Sequence, residues 1–332
     1  MKKKSFGYLF ISLFIGLLII SCLSLMIGTP ILSPAEVLSV LTGNGDSFTE
    51  LLVIDFRMPR LFISILAGAC LGVSGYLLQG VTRNELADSS VLGINAGAGL
   101  FVMIYIGFFS QNTMAMLLPL VACLGGCFSA TCVYFISRKK RVIGMNRLLL
   151  SGIAMNAGLS ALTLLLTIKL SKESYSFVNS WLAGSIWGTS WLNVLALLPW
   201  AMILLPVAYI MSRYLPVLSF GEERARSLGV HVSRIQQFIL FTAVVLACSS
   251  IAMAGSLSFV GLVAPHMAKN IVKKENGYAF GLTILFGALL VNCADVIARV
   301  LLPSGELPTG IIIAIIGAPY FLYLLFSRQK KL

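Results

Sequence analysis

Charge is what this 332-residue sequence has least of: Asp, Glu, Lys and Arg together make up 11% of it, where soluble domains ordinarily carry about a quarter. With 58% hydrophobic residues and a mean hydropathy of +0.95, too little polar surface is left to coat a water-soluble fold. There are 2 histidines and 12 acidic residues, and they do not gather into the convergent base, nucleophile or ligand set that an enzyme needs. No Gly-Lys dipeptide occurs anywhere. That removes the GxxxxGK[ST] phosphate loop and, with it, that way of binding ATP. The seven cysteines, Cys22, Cys70, Cys123, Cys127, Cys132, Cys248 and Cys293, form no CxxC pair. Each sits in or beside an apolar run, so small packing residues fit better than thiolate metal ligands. Charge is also scarce within the apolar runs, where an ion-coupled transporter would hold titratable groups near the midplane, Asp295 with Arg299 being the exception.

What is present is a series of apolar runs, each suited to a helix of roughly 20 residues through a bilayer. They fall at 6–27, 61–81, 91–109, 117–137, 147–168, 191–211, 235–254, 258–272, 277–300 and 309–326. The first follows MKKK and contains Ile19-Ile20-Ser21-Cys22, similar to a lipoprotein cleavage box. Its apolar character continues through Ile27, so it reads as a retained span.

The net charge of +12 would point to nucleic acid in a soluble protein. Here the basic residues cluster at alternate ends of successive runs: Lys2 to Lys4, Arg138 to Arg141 with Arg147, 219–234, Lys269 with Lys273 and Lys274, and Arg328 with Lys330 and Lys331. Short cytoplasmic loops carry that bias. The expected topology is therefore ten spans with both termini inside, leaving Arg57, Arg60, Lys169, Lys172 and Arg299 outside. Spans two to five then begin outside and spans seven to ten begin inside, the pattern of two inverted four-helix halves. A single membrane domain over 1–332 is the simplest division.

Between the spans, Ser33-Pro34-Ala35-Glu36 predicts a short external helix through Leu41, with Ser as cap and Pro at the first helical position. The second span carries Gly68, Gly72, Gly75 and Gly80, small residues that let helices approach closely in lipid, and is expected to be central. Residues 171–189 read as an external amphipathic segment, with Trp181 and Trp187 at the membrane interface. His231 and His266 read as polar residues near the inner face. Asp295 and Arg299, four apart near an outer helix end, read as a stabilising pair.

The polar island at 219–234 stands out most. Glu222, Glu223, Arg224, Arg226 and Arg234 lie between apolar runs, so the island must lie in water. Glu222 and Arg226 are four apart, as on one face of a short helix, which leaves Ala225, Leu228 and Val230 for another surface. Gly229 is placed to end that helix in a left-handed conformation. By itself this is a solvated, salt-bridged turn.

The string GEERARSLGV resembles the cytoplasmic coupling loop of the permeases that import iron–siderophore complexes and vitamin B12 in ABC transporters, the FecCD/BtuC type. RMPRLFISILAGACLGVSGYLLQGVTRNELADSSVLGINAGAG, LLLSGIAMNA, AGSLSFVGLVAPHMAK, ADVIAR and ELPTGIIIAIIGAPYFLYLL are similar to that family's blocks in the right order, while the first 50 residues carry little of it. The resemblance implies an all-α integral membrane protein with the type II ABC importer permease fold. It implies a coupling loop at 213–234, in which Gly221, Glu222, Glu223, Arg226, Leu228 and Gly229 meet the ATPase.

It further implies a second permease copy or a sister permease, two ATPase subunits that use ATP and Mg, and an external or periplasmic binding protein. This chain itself would bind no cofactor. Arg57, Arg60 and Arg299 match positions that face acidic residues of the binding protein. The implied setting is the bacterial plasma membrane and the implied cargo an iron–siderophore complex, with cobalamin or haem as the alternatives. An ion-coupled secondary transporter and a membrane enzyme fit the residues less well.

Overall fold

The computed structural model describes residues 3–108, 117–139, 142–143, 145–272, 277–301 and 307–329. Lys2, Lys140, Arg141, Lys273, Lys274, Lys330, Lys331 and most of the 303–308 turn lie outside the described residues, as do the side chains of Lys3, Lys4 and Arg328.

Helix α1 (Lys3–Met26) leads to α2 (Pro34–Leu41) and α3 (Ser47–Glu50), and a π-helical segment (Leu51–Arg57) then runs into α4 (Met58–Thr82). After a 3-10 turn (Ser89–Leu92) come α5 (Ile94–Phe108) and α6 (Leu118–Ser137). A two-residue ribbon, β1 (Arg138–Lys139) with β2 (Val142–Ile143), links α6 to α7 (Met145–Thr167). The chain continues through α8 (Lys172–Leu182), α9 (Trp191–Ser212), α10 (Leu215–Ser219), α11 (Glu222–Ser227), α12 (Val232–Ala254), α13 (Val260–Val272), α14 (Gly277–Leu301) and α15 (Thr309–Gln329). Apart from the ribbon, every regular element among the described residues is helical.

The ten predicted spans correspond to α1, α4 to α7, α9 and α12 to α15. Seven segments are long and apolar enough to cross a bilayer: Phe6–Met26, Ser47–Thr82, Leu118–Ser137, Asn146–Thr167, Trp191–Ser212, Val232–Ala254 and Gly277–Leu301. Helix α5, with 15 residues, α13, with 13, and the apolar stretch Thr309–Tyr323 of α15 are shorter.

Helix α4 packs against α9, α12, α13 and α14, and nearly every residue from Pro59 to Thr82 is buried. Its glycines make this possible. A Cβ at Gly68 would lie 2.3 Å from the Gly287 carbonyl oxygen, and one at Gly75 would lie 1.7 Å from that of Gly261. A Cβ at Gly72 would meet the Thr283 carbonyl oxygen at 3.1 Å, and one at Gly80 the Leu215 side chain at 2.5 Å. The helices touch backbone to backbone, and dispersion contact takes the place of the hydrophobic drive that lipid does not provide.

The sequence places the second span at 61–81, whereas helical structure is continuous from Ser47 to Thr82. Pro59 explains the difference. Its ring has no N–H and clashes with a regular preceding turn, and the wider π turn just before it accommodates the ring, with Met58 N–H donating to Val53 O. Trp181 also departs from expectation: it is buried, not at an interface, because α8 sinks its C-terminal end into the helix core beside Gly99, where a Cβ would overlap Leu182. Trp187 remains exposed.

Candidate functional site

The polar island forms a compact projection. Gly221 takes φ +106 and starts α11, which covers Glu222–Ser227. Leu228 closes it with its N–H on Arg224 O, and Gly229, at φ +80, donates its N–H to Arg226 O. A left-handed glycine at this point lets the chain reverse at once into α12. Ala225 is fully buried, while Glu223, Arg224, Arg226, Ser227 and Leu228 are exposed. Leu228, grouped with Ala225 and Val230 on one surface by the sequence, parts from the buried Ala225 and is 65% exposed. The Glu222 side chain, and so its expected pairing with Arg226, lies outside the described residues.

Helix α10, beside the island, is tied to the end of α4. Leu215 fills the space at Gly80, and Arg83 Nη2 donates to Leu218 O at 2.6 Å. A short mixed-charge helix with an apolar residue at its tip, held by α10 on a buried glycine helix, is suited to seating on a soluble protein and passing displacement inward.

At the other end of α4 the three arginines converge, though not as an exposed rim. Arg60 Nη2 lies 2.8 Å from Asp295 Oδ1, and its Nε donates to both carboxylate oxygens at 2.8 and 3.1 Å. Arg299 Nε donates to Asp295 Oδ2 at 3.0 Å, its Nη2 contacts the same oxygen, and its Nη1 donates to Ser24 O at 2.9 Å. Arg57 Nη1 donates to Leu25 O at 2.7 Å and Met26 O at 3.0 Å. Asp295 is fully buried, and Arg57 and Arg60 are 5% and 8% exposed. The expectation of outward-pointing guanidinium groups is corrected accordingly: a carboxylate in a low-dielectric interior draws them in, and the end of α1 supplies carbonyl acceptors. Asp55, close to Arg57 in sequence, is exposed, and Asp295 makes the cluster's carboxylate contacts instead.

A cavity of about 590 Å³ opens along α8, lined by Lys172, Glu173, Ser176, Phe177, Ser180, Trp181, Ser185 and Trp187. Ser171 caps this helix by accepting from Ser174 N–H. Sequence reasoning recognised the amphipathic helix but not that its polar stripe, Lys172, Ser176 and Ser180 at four-residue spacing, borders a cavity. It also missed the pairing of His266 Nδ1 with the Tyr320 hydroxyl at 2.7 Å, which joins α13 to α15.

The profile of the FecCD transport family matches residues 16–327. The chain belongs to the FecCD transport family. It is 37% identical over 322 residues to the iron(3+)-hydroxamate import system permease protein FhuG of Bacillus subtilis, covering 95% of this chain and 96% of that protein. It is 37% identical over 327 residues to the iron-uptake system permease protein FeuC of the same organism, covering 96% and 97%. Identity to the Fe(3+) dicitrate transport system permease protein FecD of Escherichia coli is 34% over 280 residues, covering 83% and 86%.

Among solved structures, one assigned to the metal-chelate type of ABC transporter, in an inward-facing conformation, superposes with a TM-score of 0.85 at 28% identity. It covers 97% of this chain and 99% of that one. PsaBC from Streptococcus pneumoniae, at a TM-score of 0.55 and 16% identity over 88% of this chain and 95% of that one, is alike in fold alone. The FecCD chain is thus an all-helical, multi-pass membrane protein of the ABC permease fold.

Proposed function

We propose that this FecCD-family chain is the permease subunit of an ABC importer that carries an iron–siderophore complex across the bacterial plasma membrane. The observation that carries the reading is the island at 213–234, an exposed, charged short helix rooted through α10 and Arg83 in the most buried helix of the fold. In this reading the island lies in the cytoplasm, with both termini, and seats on an ATPase subunit. That subunit uses ATP and Mg, since this chain lacks the phosphate loop and binds no cofactor of its own.

Two ATPase subunits and two permease chains, identical or sister, complete the transporter. An external binding protein delivers the cargo to the outer face, where the α8 cavity offers a polar stripe between aromatic walls. Arg57, Arg60 and Arg299 lie beneath that face and lend it positive potential, which speeds encounter with an acidic partner. The relatives named for ferric hydroxamate, iron and ferric citrate support iron chelates over cobalamin or haem.

Uptake by cells that produce the full transporter tests the assignment. Radio-iron complexes of a hydroxamate, a catecholate and citrate are compared with labelled cobalamin and haem. Accumulation of at least one iron chelate, dependent on this chain, is the expected result. Uptake confined to cobalamin or haem overturns the iron assignment.

A further inference from the structure

Asp88 is a buried carboxylate with no part in the reading above. It lies on the link between α4 and the 3-10 turn and is 4% exposed. Oδ1 accepts from Ser89 N–H at 2.7 Å and from the Ser89 hydroxyl at 3.4 Å, and Oδ2 from the Ser90 hydroxyl at 3.4 Å. From the far side the backbone of Gly261, two positions after Phe259, packs on it. All three hydrogen-bond donors are neutral, so the carboxyl group is held by dipoles alone, an arrangement that tolerates little displacement.

Two residues on the segments that meet at Asp88 are unusual. Among the described residues, the non-glycine positions with left-handed backbone are Arg83, at φ +53, and Phe259, at φ +66. Arg83 precedes Asp88 by five positions, and Phe259 precedes Gly261 by two. Such conformations persist only where the surroundings enforce them, and they collect at sites that move or bind. Gly261 presses on the same carboxylate, since a Cβ there would lie 2.2 Å from Asp88 Oδ1.

Both sides of Asp88 lead on to sites already described. Five positions before it, Arg83 donates to Leu218 O of α10, next to the island. Three positions before Phe259, Ser256 N–H donates to Trp181 O at 3.2 Å, and the Leu257 side chain covers Gly184. Trp181 and Ser185 are walls of the α8 cavity. The link from Asp88 to Arg83 is a short turn whose residues are mostly exposed or half-buried, and the link to Trp181 runs through the half-buried to buried 255–259 turn.

We infer that Asp88 is a positioning residue for transport, which ties displacement of the island, through Arg83 and the 255–259 turn, to the wall of the α8 cavity. The inference rests on the reading of the island as the segment that meets the ATPase.

The test uses the complete transporter in proteoliposomes, with a nitroxide on a single cysteine at Ser176 in an otherwise cysteine-free chain. ATP with vanadate is expected to change the nitroxide spectrum. Asp88→Ala should reduce that change by about twofold to thirtyfold while ATP hydrolysis per complex stays the same, and Asp88→Asn, which keeps an acceptor oxygen, should restore most of it. Phe259→Gly, which needs no strain at this backbone angle, is expected to show the same loss and serves if Asp88→Ala does not assemble. A full nitroxide response in Asp88→Ala or Phe259→Gly overturns the role of Asp88, as does loss of response in strict proportion to loss of hydrolysis. Absence of any response in the unmodified transporter overturns the island reading and this inference together.

Discussion

Arg60 Nη2 and Asp295 Oδ1 stand 2.8 Å apart in the interior, joining positions separated by 235 residues. Arg299 holds the other oxygen of the same carboxylate, and the Thr309 hydroxyl donates to Oδ1 at 3.2 Å, so the cluster pins α1, α4, α14 and α15 together. Arg60→Glu would place two carboxylates face to face and leave Arg299 with a disrupted partner. Breaking a buried pair typically costs about 3–5 kcal/mol. The expected outcome is a clear fall in thermal stability of the detergent-solubilised protein, with partial recovery in the exchanged pair Arg60→Asp with Asp295→Arg. Unchanged stability in Arg60→Glu would show that the cluster does not hold the helices.

The glycine contacts give a sharp contrast. Gly75→Ala sets a methyl group 1.7 Å from the Gly261 carbonyl oxygen, which no rotamer relieves, whereas Gly158 has no atom within 4 Å of the corresponding position. Gly75→Ala should sharply reduce the amount of folded protein in the membrane. Gly158→Ala should stay within about 0.5 kcal/mol of the unmodified chain. Fluorescence-detected gel filtration of the two variants side by side checks both.

Orientation is tested with single cysteines at Ser227 on α11 and Ser176 on α8, both exposed positions. An impermeant thiol reagent added to intact cells should label Ser176→Cys and spare Ser227→Cys. The opposite result inverts the topology.

Much of the fold is legible in the sequence because apolar runs, caps and turn glycines are local signals. Ser33 and Glu36 form the reciprocal cap that their spacing predicts, and α2 ends at Leu41 as read. Gly229 closes α11 in the left-handed conformation. What was not legible depends on distant partners. Arg60 reads as an exposed cation until Asp295, far along the chain, is brought beside it. Trp181 reads as interfacial because periodicity shows which face of α8 is apolar but not how deep the helix sits. Pro59 reads as the break before a span, although a π turn carries the helix through it. Ser89 and Ser90 donate to Asp88 locally, but its contact with Gly261, far along the chain, is one that folding creates.

The central claim is that the island couples ATP hydrolysis on a partner subunit to transport through this chain. Its most direct test is radio-iron chelate uptake into proteoliposomes containing the permease, its ATPase and the binding protein, measured together with ATP hydrolysis, for the unmodified chain and for Gly229→Val. The left-handed turn at Gly229 resists a β-branched residue, so the variant should displace α11 while leaving the spans inserted. The account predicts ATP-dependent uptake in the unmodified chain and at least a tenfold fall in uptake per ATP hydrolysed in the variant, a cost of about 1.4 kcal/mol or more. Uptake that proceeds without ATP, or an unchanged ratio in Gly229→Val, would contradict it.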